Sequence, residues 1–508
     1  MSSSSWTVVA VSAVYLVSCL ALGMMPGRKA SGTAEGYVAG DRTLGLLLMY
    51  FITGATIFSA FAFLGAPGWA YSRGAAGFYI LGYGALGFLP FYFLGPRAAR
   101  LGRKYGFVTQ AEMVAARFQL PAIAGLMALI SVLAFVPYLA LQMKGAGYIL
   151  SVATGGVVPE AVGAALVYGV VMLYVLKSGV LGVGWTNTFQ GIIMMILAWG
   201  LGLYLPNALY GGVQPMFERI AASRPELLLA PGLTSAGSPW HWGEYSSAVV
   251  ASIIGFSVWP HLFMKAFTAR DIRTIKRTVV LYPTFQIFLV PLYLIGFAGV
   301  FFFSKPEAAD QILPHMLMNM NIAPLIVGLF CAGALAASMS SGDTMVHAAA
   351  SITVRDGLIR ALGRTLNAEQ ERRLIRVFVV LVLALSYAVS VLYTGSLVQL
   401  LLYAYGPVVQ FAPAIVAALY WRRATGKAVL AALLVGALIN VFFVVWPELR
   451  PFPIHAGLYG LAGNVLVLIG VSALAPAAPN SAGDSAQENA HERSHDETFI
   501  AVAKGAVR

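Results

Sequence analysis

The sequence predicts an all-α, polytopic membrane protein with about thirteen transmembrane helices. Of its 508 residues, 59% are hydrophobic and only 10% are charged, whereas a soluble globular protein is about 25% charged. Apolar stretches of about 20 residues, long enough to span a bilayer as helices, recur along the chain. We place them at residues 6–24, 44–70, 75–94, 122–151, 160–179, 182–205, 244–264, 277–303, 321–348, 375–394, 397–420, 427–446 and 455–475.

The net charge of +12 is explained by its distribution along the chain. If the N-terminus lies outside and the spans alternate, 26 of the 32 Lys and Arg side chains fall in cytoplasmic segments, including Lys265 just after a span. This asymmetry follows the positive-inside rule for membrane proteins, so no nucleic-acid partner is needed to account for it. We therefore predict a bacterial-type inner-membrane protein with its N-terminus outside and its C-terminus in the cytoplasm.

Several function classes lack their sequence signatures. Cys19 and Cys331 both fall inside spans, so we expect no disulfide framework and no cofactor attached through cysteine. The chain has no Walker-type glycine loop for ATP hydrolysis, and no HExxH motif or paired inward carboxylates that would indicate an enzyme. A secondary transporter is the most economical interpretation, with a channel, a membrane-embedded enzyme and a receptor as alternatives.

The stretch ASMSSGDTMVHAAAS (337–351) carries unusually many polar groups for an apolar span. An Asp at the bilayer centre costs about 2.5–3.5 kcal/mol, so Asp343 is expected to face protein. Hydroxyls beside a carboxylate are hard oxygen ligands and suit a small cation. Alternatively, the hydroxyls bond back to their own helix and Asp343 pairs with His347 one turn on. At helical spacing, one arc of roughly 160° holds the following residues: Ser340, Ser341, Asp343, Thr344, His347 and Ser351.

Two other spans carry helix-breaking residues. FITGATIFSAFAFLGAPGWAY (51–71) contains three glycines and Pro67, and IIGFSVWPHLFMKAF (253–267) contains Gly255 and Pro260. Discontinuous helices in transporters free backbone carbonyls for ions and half-helix ends for substrate. These two spans lie five apart, as an inverted five-plus-five repeat requires.

The order and spacing of several motifs resemble those of the sodium:solute symporter family, from about residue 36 to 446. Within the family the chain looks most like the bacterial monocarboxylate and pantothenate permease branch. The motifs are GYVAGDRTLG (36–45), FLGAPGWAYSRG (63–74), VTQAEMVAARF (108–118), GWTNTFQG (184–191), WPHLFMKAFTARD (259–271), AASMSS (336–341), YAYGPVVQFAP (403–413) and LYWRR (419–423).

The resemblance implies a leucine-transporter-type fold of five-plus-five inverted repeats. We expect a transporter domain at 1–475, in which 6–24 is an extra helix, 44–420 is the ten-helix core and 427–475 holds two more helices. The small, polar tail at 476–508 is predicted to be a disordered cytoplasmic segment.

The resemblance also implies a sodium site between core helices one and eight. Its ligands would be the backbone carbonyls of Ala55, Phe58 and Ala337 and the hydroxyls of Ser340 and Ser341.

Two departures from the family pattern concern a second sodium site that some relatives have. On core helix five an Asp commonly follows the Thr of a WTD-type motif, but here Asn187 follows Thr186. Conversely, Asp343 stands beside Thr344 where a small hydroxyl residue usually sits. Either the carboxylate has moved from core helix five to core helix eight and a second cation site persists, or Asp343 and His347 handle a proton. We favour one sodium ion.

Lys144 is the one cation that we place well inside a predicted span. It would be the counter-charge of an anion, or it snorkels from near a helix end. With Tyr138 and Gln142 at helical spacing, it could receive a carboxylate and a hydroxyl or keto group. His261 is alternatively a structural residue after Pro260. Further candidate walls of the solute cavity are Thr56, Ser59, Trp259, His261, Tyr403 and Gln410.

Together these features predict a symporter that imports a small organic monocarboxylate, such as pyruvate, lactate or acetate, with sodium as coupling ion. The alternatives are a proton-coupled carrier on the same fold, which would use Asp343 and His347, and a sodium symporter for another solute such as pantothenate. We expect no other cofactor. The expected partners are the solute and the lipid bilayer, with no nucleic acid and no obligate protein partner.

Overall fold

The structure is a computed structural model and describes residues 3–25, 34–302, 306, 308–320, 322–393 and 404–474. Within these ranges the regular secondary structure is helical, with two isolated β-bridges. The predicted disordered tail and Tyr403 lie outside the described residues. The main helices are α1 (Ser3–Met24), α2 (Ala34–Ala39), α3 (Leu46–Ile57), α4 (Ala66–Arg73), α5 (Phe78–Gly87), α6 (Phe91–Tyr105), α7 (Gln110–Phe118), α8 (Pro121–Ala153), α9 (Glu160–Tyr210), α10 (Val213–Ser223), α11 (Trp242–Val258), α12 (Pro260–Phe263), α13 (Lys265–Thr268), α14 (Ile272–Gln286), α15 (Leu289–Ala298), α16 (Ile312–Asn319), α17 (Pro324–Ile352), α18 (Ala368–Leu392), α19 (Ala404–Tyr420), α20 (Gly426–Val445) and α21 (Ala456–Leu474).

Among the described residues, eight helices are long and apolar enough to cross a membrane, and ten if each of two bent pairs counts as one span. The remaining predicted spans have identifiable counterparts. The shorter apolar helix α19 matches 397–420, and α5 with α6 matches 75–94. The 51 residues of α9 hold two predicted spans, 160–179 and 182–205.

A break at Gly179 divides α9 into those two spans. A straight helix of this length would be about 76 Å long, far more than the roughly 30 Å hydrocarbon core. At Gly179 the backbone leaves helical geometry, with φ 56° and ψ −146°. This region is essentially restricted to glycine, and a Cβ there would lie 2.5 Å from the Tyr37 carbonyl oxygen.

Both helices that were predicted to be discontinuous are bent. The pair Leu46–Ile57 and Phe61–Gly87 meets at 54°, and the pair Trp242–Val258 and Pro260–Thr268 at 46°. In the first, Phe58 ends α3 with φ −76° and ψ 71°. In the second, Trp259 adopts φ −55° and ψ 127°, because the residue before a proline is disfavoured in the α region. The two breaks lie five spans apart, as an inverted repeat requires.

The helix α17 runs through the middle of the bundle. It packs against α1, α3, α8, α9 and α18, and every residue from Phe330 to Ile352 is buried. The polar arc of the 337–351 stretch therefore contacts protein, as the cost of exposing Asp343 to lipid predicted. The apolar side of the same stretch is buried as well.

An ion network ties the end of α17 to the short helix α7 and to α18. The Thr109 side chain caps α7 in a capping box with Glu112 and also donates to Asp356 at 2.7 Å. Arg355 donates to Glu112 at 2.6 Å and to Glu371 at 2.8 Å. These contacts fix the predicted cytoplasmic end of α17.

Candidate sodium and solute site

The break after α3 lies against two serine hydroxyls of α17. Ser340 Oγ donates to the Ala55 carbonyl at 2.9 Å and lies 3.2 Å from the Ala337 carbonyl. Ser341 Oγ donates to the Thr56 carbonyl at 2.6 Å. All of these groups are buried, so the last turn of α3 meets α17 through directly hydrogen-bonded oxygen atoms.

This oxygen set fits a small hard cation. The structure brings together four of the five predicted ligand residues, Ala55, Ala337, Ser340 and Ser341, and Phe58 lies at the helix end one residue beyond Ile57. The Thr56 carbonyl, which the predicted set lacks, also faces Ser341. A hydroxyl has two acceptor lone pairs besides its proton. By rotating its proton away, each serine can turn from donating to a carbonyl to ligating an ion beside that carbonyl.

Asp343 on α17 is fully buried against the two halves of α9. Its Oδ2 accepts a hydrogen bond from the Tyr174 hydroxyl at 2.7 Å and from Thr186 Oγ1 at 3.3 Å. Thr344 Oγ1 donates to its Oδ1 at 3.2 Å. The carboxylate thus stands opposite the Trp185-Thr186-Asn187 motif.

Asn187 is linked to Asp343 through Thr344 and bonds to threonines. Its Nδ2 donates to Thr344 Oγ1 at 3.2 Å and to Thr56 Oγ1 at 3.4 Å, and the two threonine oxygens are 3.2 Å apart. Among the described residues, no group hydrogen-bonds Asn187 Oδ1. Two threonine hydroxyls, one from α3 and one from α17, therefore meet at the side-chain amide of Asn187 on α9.

His347 has a different neighbour from the one considered in the sequence. Its Nε2 lies 2.9 Å from the Tyr37 carbonyl oxygen, and its ring stacks on that of Tyr37 with centroids 5.1 Å apart. In the described part of the chain, no hydrogen bond joins it to Asp343. The alternative of a direct Asp343–His347 pair is therefore not what the structure shows.

An aromatic cluster lies beyond the second helix break. The ring centroids of Trp259 are 5.5 Å from those of both Tyr138 and His261, and 5.6 Å from that of Phe135. The Tyr138 hydroxyl interacts with the Ser59 side chain at the first break. The predicted cavity residues Ser59, Tyr138, Trp259 and His261 thus come together between the two breaks.

Three polar atoms in and beside this cluster are buried without a hydrogen-bond partner in the described ranges. They are Trp259 Nε1, His261 Nδ1 and Gln142 Nε2. Gln142 uses its other polar atom, Oε1, to accept from the Ala60 backbone N–H at 2.9 Å. Because buried polar groups are normally hydrogen-bonded, such a concentration marks a place where a polar solute can bind.

Two other predicted wall residues lie elsewhere. Lys144 is half-buried and donates to the Tyr393 carbonyl, with its ammonium 5.8 Å from the Tyr148 ring centroid. The Gln410 side chain donates to the Gly406 and Gly457 carbonyls at 3.1 and 3.0 Å, and the Asn464 side chain donates to the Gln410 carbonyl at 2.9 Å. Lys144 therefore ties α8 to the chain after α18, and Gln410 ties α19 to α21.

Lys265 was not among the predicted site residues. The positive-inside count assigned it to a cytoplasmic segment, but its side chain is only 2% exposed. It lines a cavity of about 20 Å³ together with His261, Thr344 and His347. The available signal was its position four residues after His261, which puts both on one helix face.

Comparison with known proteins agrees with this architecture. The sequence model of the sodium:solute symporter family matches residues 37–436. An uncharacterized symporter of Bacillus subtilis is 27% identical, with 92% of this chain and 97% of that protein covered. The sodium/pantothenate symporter of Escherichia coli is 26% identical over 89% of this chain and 94% of its own length. The monocarboxylate transport permease protein of Rhizobium johnstonii is 24% identical, over 86% and 90%.

Among solved structures, a Na⁺-coupled sialic acid symporter in a substrate-bound outward-open state aligns with a TM-score of 0.75. The alignment covers 94% of this chain and 99% of that one at 18% identity, so it shows a shared fold. That fold is the predicted leucine-transporter type. The chain therefore belongs to the sodium:solute symporter family, as a multi-pass membrane protein that couples solute transport to sodium.

Proposed function

We propose that this symporter imports a small organic monocarboxylate together with one sodium ion by alternating access. The observation that carries the proposal is the contact of the two α17 hydroxyls, Ser340 and Ser341, with the Ala55 and Thr56 carbonyls at 2.9 and 2.6 Å. These carbonyls belong to the last turn before a helix break. A cation held there joins α3 to α17, so its binding depends on how the two helices are positioned.

We assign the sodium ligands to the carbonyls of Ala55, Phe58 and Ala337 and the hydroxyls of Ser340 and Ser341. The site is close to the solute cluster along the chain, because Ser59 follows Phe58 directly. Ordering the end of α3 around sodium therefore also positions the Ser59 hydroxyl beside Tyr138. Since coupling between two binding sites is reciprocal, sodium raises the affinity for solute, and solute raises that for sodium.

The chemistry of the aromatic cluster favours a small solute with oxygen acceptors. Trp259 Nε1 and Gln142 Nε2 are hydrogen-bond donors, and the flat rings around them restrict the size of what binds. A two- or three-carbon carboxylate matches these features. The names of two relatives agree with this class, because a monocarboxylate permease and a pantothenate symporter both carry molecules with a carboxylate group.

The energetics follow from the charges that move. The membrane potential contributes about 2.3 kcal/mol per elementary charge per 100 mV. One sodium ion and one monovalent anion carry no net charge, so the sodium gradient alone drives the proposed cycle. With the N-terminus outside and the arginine-rich ends of the helices in the cytoplasm of a bacterial inner membrane, low internal sodium favours release there.

Asp343 supports a second candidate, a cycle that moves an additional cation. Its buried carboxylate accepts hydrogen bonds from Tyr174 and Thr186, and it also accepts from Thr344 Oγ1, which in turn accepts from Asn187 Nδ2. A sodium ion or a proton bound at Asp343 would make transport of a monovalent anion electrogenic. Proton coupling here would leave His347 bonded to Tyr37 and would use Asp343 by itself.

Transport by purified protein in liposomes tests both candidates. Labelled pyruvate is offered under an inward sodium gradient, or under a pH gradient alone, to wild type and to Ser341→Ala and Asp343→Asn variants. Sodium-driven uptake that Ser341→Ala loses is the expected result. Uptake driven only by protons and lost in Asp343→Asn would establish the second candidate, and no pyruvate uptake under either gradient would refute the substrate class.

A further inference from the structure

We infer that Lys265 forms an anion-binding subsite on the cytoplasmic side of the solute site, where it holds the carboxylate of the transported solute. The inference rests on the proposed function for the identity of the solute, but the subsite itself stands on independent observations. These are a buried ammonium group, a cavity beside it, and the position of both between the helix breaks and a group of arginine side chains.

The Lys265 side chain is 2% exposed, and no hydrogen bond from its ammonium to any described residue is found. Lys is almost never fully buried unless it is paired, because removing a charge from water is costly. Asp343 is near enough for an electrostatic interaction with it. The three hydrogen-bond donors of the ammonium are nevertheless unused among the described residues.

The cavity next to Lys265 has mixed walls. Thr344 Oγ1, the rings of His261 and His347, and Thr268 provide polar groups, and Val38, Val180, Val183, Met264 and Ala348 provide apolar ones. Its volume of about 20 Å³ has room for roughly one water molecule. In this conformation the cavity therefore takes one water-sized group, such as a single carboxylate oxygen, and a whole solute needs the surrounding helices to separate.

The cavity lies between the helix breaks and the arginine-rich end of the bundle. Thr344, which lines the cavity, contacts Thr56 and Asn187 beside the first helix break. Two and four residues after Lys265 in the chain, the Phe267 carbonyl accepts from Arg42 and the Ala269 carbonyl from Arg103, each at 3.1 Å. A solute that leaves the aromatic cluster toward these arginines passes His261 first and Lys265 one helical turn later.

The electrostatic interaction with Asp343 links this subsite to the second candidate cation site. With no cation bound at Asp343, its carboxylate attracts the Lys265 ammonium and competes with an incoming anion. A cation beside Asp343 removes that competition. Lys265 thus becomes a specificity-determining residue that favours monovalent anions over neutral solutes of the same shape.

Ligand-dependent thermal stabilisation of the purified protein tests the inference, because a ligand that binds the folded state raises the unfolding temperature. The protein is kept in a fixed concentration of sodium, with the bulky sulfonate MES as the bulk anion. Pyruvate, its neutral amide and chloride are titrated separately into wild type, Lys265→Gln and Lys265→Arg. Lys177→Gln, which removes an exposed lysine of α9, is the matched control for loss of one positive charge.

The expected result is a preference of wild type for pyruvate over the amide and a loss of pyruvate affinity of about 10- to 150-fold in Lys265→Gln, the range for a hydrogen bond to a charged group. Lys265→Arg and Lys177→Gln retain the preference. Equal pyruvate affinity in wild type and Lys265→Gln, equal affinity for pyruvate and its amide in wild type, or no anion-dependent shift in wild type would each overturn the inference.

Titration with chloride distinguishes a site for the carboxylate of the solute from a site that binds a free inorganic anion. Stabilisation by chloride that depends on Lys265, together with absence of pyruvate binding and uptake, supports the anion site and refutes the proposed solute. If Lys265→Gln does not fold, the double variant Asp343→Asn/Lys265→Gln removes both buried charges together and provides the same comparison. A merely structural role of Lys265 predicts that this double variant keeps the pyruvate preference of wild type, which would overturn the inference.

Discussion

Replacing Ser341 by alanine is the most direct test of the sodium site. The change removes one hydroxyl from α17 without adding volume, and it breaks the 2.6 Å hydrogen bond to the Thr56 carbonyl. Loss of that bond alone costs about 0.5–1.5 kcal/mol of folding stability. When the hydroxyl is a ligand of a charged ion, its loss costs about 1.5–3 kcal/mol of binding. At 1.4 kcal/mol per factor of ten, half-saturating sodium should rise by about 10- to 150-fold.

The assay is the initial rate of labelled pyruvate uptake into liposomes as external sodium is varied at constant ionic strength. Ser351→Ala is the matched control, because Ser351 is a buried serine of the same helix that bonds to its own backbone at the His347 carbonyl, 2.8 Å away. It lies ten residues, or about 15 Å, from Ser341. Unchanged half-saturating sodium in Ser341→Ala, or an equal rise in Ser351→Ala, would refute the assignment of Ser341 as a ligand.

Three further predictions concern charge and backbone geometry. Wild type and Asp343→Asn should both show a sodium Hill slope near one in uptake; a slope of two that falls to one in the variant would instead establish a second cation. Gly179→Ala should lower stability by about 1–3 kcal/mol in thermal unfolding, since only glycine tolerates this backbone conformation. Gly200→Ala, with open space around it, should cause no such loss. Equal effects of the two changes would refute the role of Gly179 in the break. Glu112→Gln should lower stability by about 1.5–3 kcal/mol, the range for a hydrogen bond to a charged group, because Arg355 keeps only its ion pair with Glu371; a loss below about 0.5 kcal/mol would show that the Glu112–Arg355 pair contributes little.

The charge network around Glu112 also predicts a dependence on pH. Burial raises the pKa of Glu112, but Arg355 and the Val108 N–H together hold that pKa below its usual value. A carboxylate whose folded-state pKa is depressed stabilises the protein above its unfolded pKa, and this contribution is lost as pH falls through the folded value. Wild type should therefore lose more stability than Glu112→Gln on acidification below the usual range for Glu.

The sequence pointed to the residues of the proposed sodium site because they combine two signals that are local in the chain. Ser340 and Ser341 stand in an apolar span, and the glycines and Pro67 around residue 58 interrupt another, so each pattern can be recognised without knowing what packs against it. The family motifs then paired the two stretches. Their contact in the structure depends on main-chain carbonyls of α3, which every sequence contains and no sequence pattern displays.

Lys144 and Lys265 show what the sequence left undecided about single cations. Lys144 lies within a long apolar stretch, which predicts either a counter-charge inside the bundle or a snorkelling side chain, and in the structure it is half-buried and bonds to the Tyr393 carbonyl. Lys265 follows a span and was counted as cytoplasmic, yet it is buried. The difference arises because hydropathy reports the mean environment of a segment, whereas the burial of one side chain depends on which helices surround it.

The sequence by itself determined the membrane-embedded class, the family and the two discontinuous helices, because apolar length and helix-breaking residues act within one segment at a time. Only the tertiary structure decided that Asp343 faces Tyr174 and Thr186, that His347 stacks on Tyr37, and that Lys265 borders a cavity. Those outcomes depend on the rotation and packing of helices that are distant in the chain. The side-chain environments follow from that packing, and the hydrophobic pattern of a fully buried helix such as α17 leaves its rotation undetermined.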